Sequence, residues 1–252
     1  CSFNRVQFTS DMLPSDILGV SVLNQRTSDF DFRPGPIFAN VVLADEVNRT
    51  PPKTQSALLE AMSEFQISVD GKTRGLPRPF IVLATQNPIE YEGTYTLPEA
   101  QLDRFLLRVE IGYPGEDDEI RIMRRHDSGG ALERLQPVLG AEDVIKLQEL
   151  AVKVHVDESV ARYMRAIVQA TRDHPSVRLG ASPRGALALY EACQAHAMVD
   201  GRDFVTPGDV KTMAGAVLSH RVLVRAQGGH RLTSPRERAM LVEDIVSDIK
   251  IP

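Results

Sequence analysis

Three short apolar runs constrain this chain more than any other feature: Ile37–Ala44 (IFANVVLA), Phe80–Thr85 (FIVLAT) and Leu106–Ile111 (LLRVEI). None alternates strictly between apolar and polar residues. A strand with one wet face alternates and a strand covered on both faces does not, so the runs suit a parallel sheet packed between helices. Arg5–Phe8 adds a shorter candidate strand ahead of them. Between the first two runs, Thr50-Pro51-Pro52 opens a predicted helix that reaches about Phe65. Thr50 is its expected N-cap, and proline suits the first turn, where a missing N–H costs little. Asp70-Gly71, flanked by Ile67, Val69 and Thr73, predicts a tight hairpin within Gln66–Pro79, inserted before the second apolar run.

Beyond Tyr113-Pro114-Gly115 the period changes. Glu116–Arg125, Ala141–Val152, Asp157–Arg172, Pro183–Val199, Pro207–His220 and Pro235–Ile249 carry apolar residues at helical spacing. Three of these open with proline behind a capping residue: Ser182, Thr206 and Ser234. The expected organisation is an α/β core over residues 1–113 and an all-α domain over 114–252.

Composition narrows the setting. No apolar run approaches a membrane span, and the start lacks a basic-then-apolar leader pattern. Cys1 and Cys193 offer neither a disulfide framework nor metal-ligand spacing, which fits a reducing, cytoplasmic interior. The net charge of −5 argues against a general nucleic-acid binder. One basic stretch departs from it: Arg221, Arg225, Arg231, Arg236 and Arg238 stand against a single acid, Glu237. It reads as a solvated face or as a docking surface for an acidic partner. His155, His174, His196 and His220 show no ligand spacing with one another or with cysteine and are expected to be structural, with Cys193 in a core.

The chemistry begins at Val41-Val42-Leu43-Ala44-Asp45-Glu46. An apolar strand ending in two acids puts carboxylates at the carboxyl edge of a parallel sheet, where open α/β sheets bind ligands. In nucleotide hydrolases one such carboxylate holds Mg²⁺, and a second can act as general base toward water. A helix cap is the plainer alternative. The next predicted strand ends in Gln86-Asn87-Pro88, where Asn87 either orients that water or makes a turn. Leu97–Phe105 (LPEAQLDRF) reads as a short helix that leaves Arg104 at a surface, reaching a neighbour's phosphates or pairing with Asp103 or Glu99. Arg184, in the first turn of the helix opened by Ser182-Pro183, is a cation where a helix favours anions, which suggests an anionic ligand nearby or marks an ordinary exposed arginine.

Taken together, RVQFTSDMLPSDILG, GPIFANVVLADEVNRTPPKTQSALLEAMSE, FIVLATQNPIEYEGTYTLPEAQLDRFLLRV, VRLGASPRGALAL and DGRDFVTPGDV closely resemble the MoxR family of AAA+ ATPases, over essentially the whole chain. The resemblance implies a three-layer αβα core with sheet order 5-1-4-3-2 and a helical lid. It implies ATP and Mg²⁺ as substrate and cofactor. Asp45 and Glu46 become the Walker B pair, with Asp45 on the metal and Glu46 on the water. Asn87 becomes sensor 1, Arg104 the arginine finger that acts on the next subunit, and Arg184 sensor 2. The Gly71 hairpin becomes the pre-sensor-1 insertion, and Ser15–Pro36 the insert within the second helix. Hexameric rings, partners with von Willebrand factor A-like domains and client enzymes that are matured or metallated follow from the same resemblance. A magnesium-chelatase-type or DNA-remodelling subunit, and a non-catalytic partner-binding fragment, stand as alternatives.

The family's phosphate loop, G-x-x-x-x-G-K-[ST], does not occur. Gly71-Lys72-Thr73 imitates its end, but Gln66 replaces the first glycine and a hairpin replaces the strand–loop–helix setting that converges backbone N–H groups on phosphate. The first residue is Cys1 rather than methionine. The sequence-based expectation is therefore a fragment that lacks strand 1 of the sheet, folds poorly and binds nucleotide weakly.

Overall fold

A computed structural model describes residues 1–86, 95, 97–124, 135–225 and 234–252. Strand β1 (Phe3–Gln7) leads through a one-turn helix, α1 (Pro14–Leu18), into an antiparallel hairpin of β2 (Gly19–Asn24) and β3 (Asp29–Pro34). Strand β4 (Val41–Asp45) follows, then a 3₁₀ turn (Val47–Arg49) and helix α2 (Pro52–Glu64). A second hairpin, β5 (Gln66–Val69) and β6 (Lys72–Gly75), precedes β7 (Ile81–Ala84) and the short α3 (Glu99–Leu102). The remainder is helical: α4 (Glu116–Arg124), α5 (Ala141–Ala151), α6 (Glu158–Asp173), α7 (Pro183–Val199), α8 (Pro207–Leu218) and α9 (Pro235–Asp248). Strands β8 (Val177–Leu179) and β9 (Leu223–Val224) form a small antiparallel ladder within it.

The sheet of the α/β core is parallel, in the order β1-β4-β7. Its register sets Val6, Ala44 and Ala84 side by side, with Arg5, Leu43 and Leu83 on the opposite face. Side chains alternate along a strand, so the two faces are easily told apart. Val6, Val42 and Ala44 are buried in one cluster with Leu58, Leu59 and Ala61 of α2 and Ile17 of α1. On the other face Ile81 is 51% exposed and Leu83 49%. Helices thus cover one face of the sheet and, among the described residues, leave the second open. Two layers of the expected αβα sandwich are present.

Three further expectations change. Leu106–Ile111 is not a strand. Its start is drawn to the helical part instead: Arg108 N donates to Ala216 O (2.9 Å) and the Arg221 guanidinium donates to Leu106 O, while Val109 and Ile111 are exposed. The lid is not all-α, because β8 and β9 are too short to announce themselves by period. Thr50 does not cap α2: the helix starts behind Pro51, and the buried Thr50 hydroxyl has no hydrogen-bond partner among the described residues.

The lid itself closes well. Its core gathers Val160, Met164 and Ile167 from α6, Leu189 and Cys193 from α7, Val210 and Leu218 from α8, and Val242 from α9. The predicted caps form. Ser182 Oγ accepts from Gly185 N, Thr206 Oγ1 from Asp209 N, and Ser234 Oγ from Glu237 N. In the last two, the acid reaches back to the cap's own N–H, which completes a reciprocal pair.

Candidate functional site

Asp45 closes β4 on the open face of the sheet, in line with Leu43 and across from Gln7. Regular alternation would send Glu46 to the covered face. Instead Glu46 takes a left-handed backbone, φ 55°, and the chain turns. The partners show where its carboxylate goes. Gln7 Nε2 donates to Glu46 Oε2 (3.1 Å), while Arg5 donates to Asp45 Oδ2 through Nη2 (2.6 Å) and Nε (3.2 Å). Arg5 and Gln7 lie two apart on β1 and share a face, so both acids stand on that face together.

Thr85, just past β7, ties the pair down. Its hydroxyl donates to Asp45 Oδ1 (2.5 Å) and accepts from Glu46 N (2.9 Å), and its carbonyl accepts from Val47 N (3.1 Å). Arg49 Nη1 completes the set with a bond to Glu46 Oε2 (2.9 Å). The Thr85 hydroxyl first, then the Arg5 guanidinium, hold the Asp45 carboxyl below the usual carboxylate range. A carboxylate kept ionised, beside a second one and with oxygen donors only, suits Mg²⁺, a hard ion that takes one or two carboxylates and keeps most of its waters. The residues present fit that ion.

The arginines form a separate set. Arg104 follows α3 with its side chain toward α2: Nη1 donates to Leu59 O and Ser63 Oγ, both at 3.1 Å. Those contacts lie roughly 10–17 Å along the helix from its first residue, at about 1.5 Å per residue. Arg104 is exposed and pairs with neither Asp103 nor Glu99 among the ion pairs of the described residues. Arg184 is the second residue of α7 and is also exposed. The structure therefore joins Asp45 to Glu46, while Arg104 bonds α2 instead. Asn87 lies outside the described residues.

Between the two arginines stands a knot that sequence reasoning missed. Asp103 accepts from Arg221 Nε at Oδ1 (2.9 Å) and from Ser182 Oγ at Oδ2 (2.8 Å). Arg221 Nη2 donates to Asp103 O (3.2 Å) and Phe105 O (2.5 Å), and Nη1 to Leu106 O (3.1 Å) and Val217 O. Every N–H of the guanidinium is used, which is what a buried cation requires. Burial lowers the Arg221 pKa, Asp103 acts to raise it, and the nearby charge of Arg184 lowers it further. His220 Nε2 lies 3.0 Å from Phe105 O and 2.9 Å from Arg221 Nη1. Burial, followed by the Arg221 charge, takes its pKa down to about 4.

The basic stretch is thus no continuous solvated face. Arg221 is buried, Arg225 donates to Val177 O, Arg238 is half-buried, Arg236 is exposed, and Arg231 lies outside the described residues. Two other expectations hold. Gly71 lies in the β5–β6 turn, with Asp70 and Gly71 both left-handed, and Lys72-Thr73 open strand β6, so the tripeptide makes no phosphate loop. Cys193 is buried in the lid core, its thiol pushed up to about 12 by burial and the Asp209 charge. His196, Asp200 and Asp209 converge closely enough to suggest a metal site. Arg202 already bonds both carboxylates there, Asp209 at 2.5 Å and Asp200 at 3.0 Å, which closes that cluster as an ion-pair knot.

Comparison with known proteins points one way. Residues 1–107 match the family described as "ATPase family associated with various cellular activities (AAA)", and residues 169–249 match "AAA lid domain". The uncharacterised protein YeaC of Bacillus subtilis is 50% identical over 250 residues, covering 99% of this chain and 77% of its own length. The chaperone MoxR1 of Mycobacterium tuberculosis is 43% identical over 232 residues, covering 88% of this chain and 61% of its own. A crystal structure from Cytophaga hutchinsonii, provisionally described as an ATPase, superposes with a TM-score of 0.88 at 38% identity, covering 100% of this chain and 78% of that one.

Proposed function

This chain belongs to the MoxR family of AAA+ ATPases, and we propose that it serves a motor that couples ATP hydrolysis to the remodelling or maturation of client proteins. The observation that carries this reading is the pair Asp45 and Glu46, turned onto one face at the carboxyl edge of β4. Asp45 would hold Mg²⁺, directly or through its waters, with Thr85 and Arg5 keeping it ionised. Held there, the ion would supply charge neutralisation to phosphate oxygens. Glu46 takes a proton from the attacking water at its carboxylate, whose Oε2 also accepts from Gln7 and Arg49. Asn87, next but one after Thr85, orients that water.

Arg104 lies away from the acids of its own chain, as a group that acts on a neighbouring subunit's phosphates should. Such trans-acting arginines contribute about 10³–10⁵ in rate. Arg184 senses the γ-phosphate from the lid. A hexameric ring, a cytoplasmic setting and a partner bearing a von Willebrand factor A-like domain belong to the same reading. So does a boundary between core and lid near Tyr113-Pro114-Gly115. No helix among the described residues is long and apolar enough to cross a membrane.

The test is Glu46→Gln in the assembled protein. Turnover should fall by at least about 10², within the range for general-base loss, while ATP binding measured by titration calorimetry is retained. Undiminished turnover would remove Glu46 from the mechanism.

A further inference from the structure

We infer that Asp103 is a positioning residue, which ties the segment carrying Arg104 to the lid helix carrying Arg184 so that the two arginines move as one body. The functional weight of this inference rests on the roles proposed above for those arginines; the tie itself does not.

Four observations carry it. Asp103 immediately precedes Arg104, and both of its carboxylate oxygens are taken by lid residues, Arg221 and Ser182. Ser182 is the N-cap of α7, and its hydroxyl donates to Asp103 while accepting from Gly185 N (3.1 Å). One oxygen thus fixes the first turn of α7, where Arg184 sits, against the core. Arg221, its side chain only 2% exposed, uses its remaining donors on the carbonyls of Asp103, Phe105, Leu106 and Val217. A fork satisfied on every prong has a single geometry, unlike a surface ion pair, which swings freely.

The fourth observation is Gly185. Glycine inside a helix is disfavoured relative to alanine. A Cβ placed there would lie 2.9 Å from Arg221 Cδ, so the missing side chain is what lets Arg221 pass along α7 to reach Asp103. The Ser182-Pro183-Arg184-Gly185 turn therefore carries a cap, a candidate phosphate-sensing cation and a clearance for Arg221 in four consecutive residues.

The experiment separates capping from tying. In the full chain with Cys1→Ser, spin labels at Glu60→Cys on α2 and Glu191→Cys on α7 report the core-to-lid distance distribution; both positions are exposed. Aspartate caps a helix as well as serine does, but at position 182 it would set a like charge against Asp103. Ser182→Asp should therefore keep the lid folded and broaden the distribution at least about twofold, and Asp103→Ala should do the same. Ser182→Thr, which retains the hydroxyl, should leave the width at the parent value. A parental width in Ser182→Asp and Asp103→Ala overturns the inference, whatever those variants do to turnover. A broadened width in a protein shown not to hydrolyse ATP leaves the tie in place and removes only its catalytic meaning.

Discussion

The lid and the core sheet bury their apolar residues in opposite ways. In the lid, α6 to α9 pack around Leu189, Cys193, Val210 and Leu218, with Ile167 and Val242 sealing the sides. In the core, Val42 and Ala44 are covered by α2, while Leu43, Ile81 and Leu83 sit on a face without a covering layer among the described residues. The candidate acids stand on that open face. Burial therefore concentrates away from the candidate acids, an arrangement expected when a working surface must stay accessible.

The contrast can be broken in four places. The largest effect should come from Leu189→Ala, a cavity in the closed core, at about 2–5 kcal/mol by urea denaturation followed through helical circular dichroism. A loss below about 1 kcal/mol would deny the lid its place as the stable region.

The seam between the regions should answer to acid. His220 has its pKa reduced from 6.5 to about 4, so the unfolded chain takes up the proton first as pH falls. Stability contributed by neutral His220 is complete above about pH 6.5, declines toward pH 4 and changes no further below it. The shift corresponds to roughly 3 kcal/mol at about 1.4 kcal/mol per pH unit. Urea midpoints across that window should fall in the parent and flatten in His220→Gln; parallel slopes would assign the acid sensitivity elsewhere.

Ser234→Ala removes a cap and half of a reciprocal pair, and should cost about 1 kcal/mol, seen as faster amide exchange confined to the start of α9. The smallest effect should be Leu83→Ala on the open face, within about 0.5 kcal/mol. A loss of several kcal/mol there would mean that this face is covered in solution, and the contrast between the two regions would disappear.

Legibility in the sequence followed the range of the forces involved. Helices opened by Ser-Pro or Thr-Pro were placed almost to the residue, because a cap acts within four positions. The Asp70-Gly71 turn was legible for the same reason. Leu106–Ile111 was misread because its composition is that of a strand, and its true partners, Ala216 and Arg221, lie more than a hundred residues on. Asp45 and Glu46 were visible as a pair at a strand's end. Their restraints, Arg5, Gln7 and Thr85, depend on which strands become neighbours and had no local signal. Asp103 was seen only as company for Arg104, and Arg221 only as one charge in a basic run; Gly185, a glycine in a helical stretch, was the one hint that something passes close by.

Glu46 leaves a last consequence. Left-handed backbone suits glycine, and a residue with a side chain held there carries an energy of order 1–3 kcal/mol. Foldability and acidity therefore pull in opposite directions at this position. A population of sequences selected for robustness alone would drift toward glycine there, and the persistence of an acid would mark the presence of a second selective pressure.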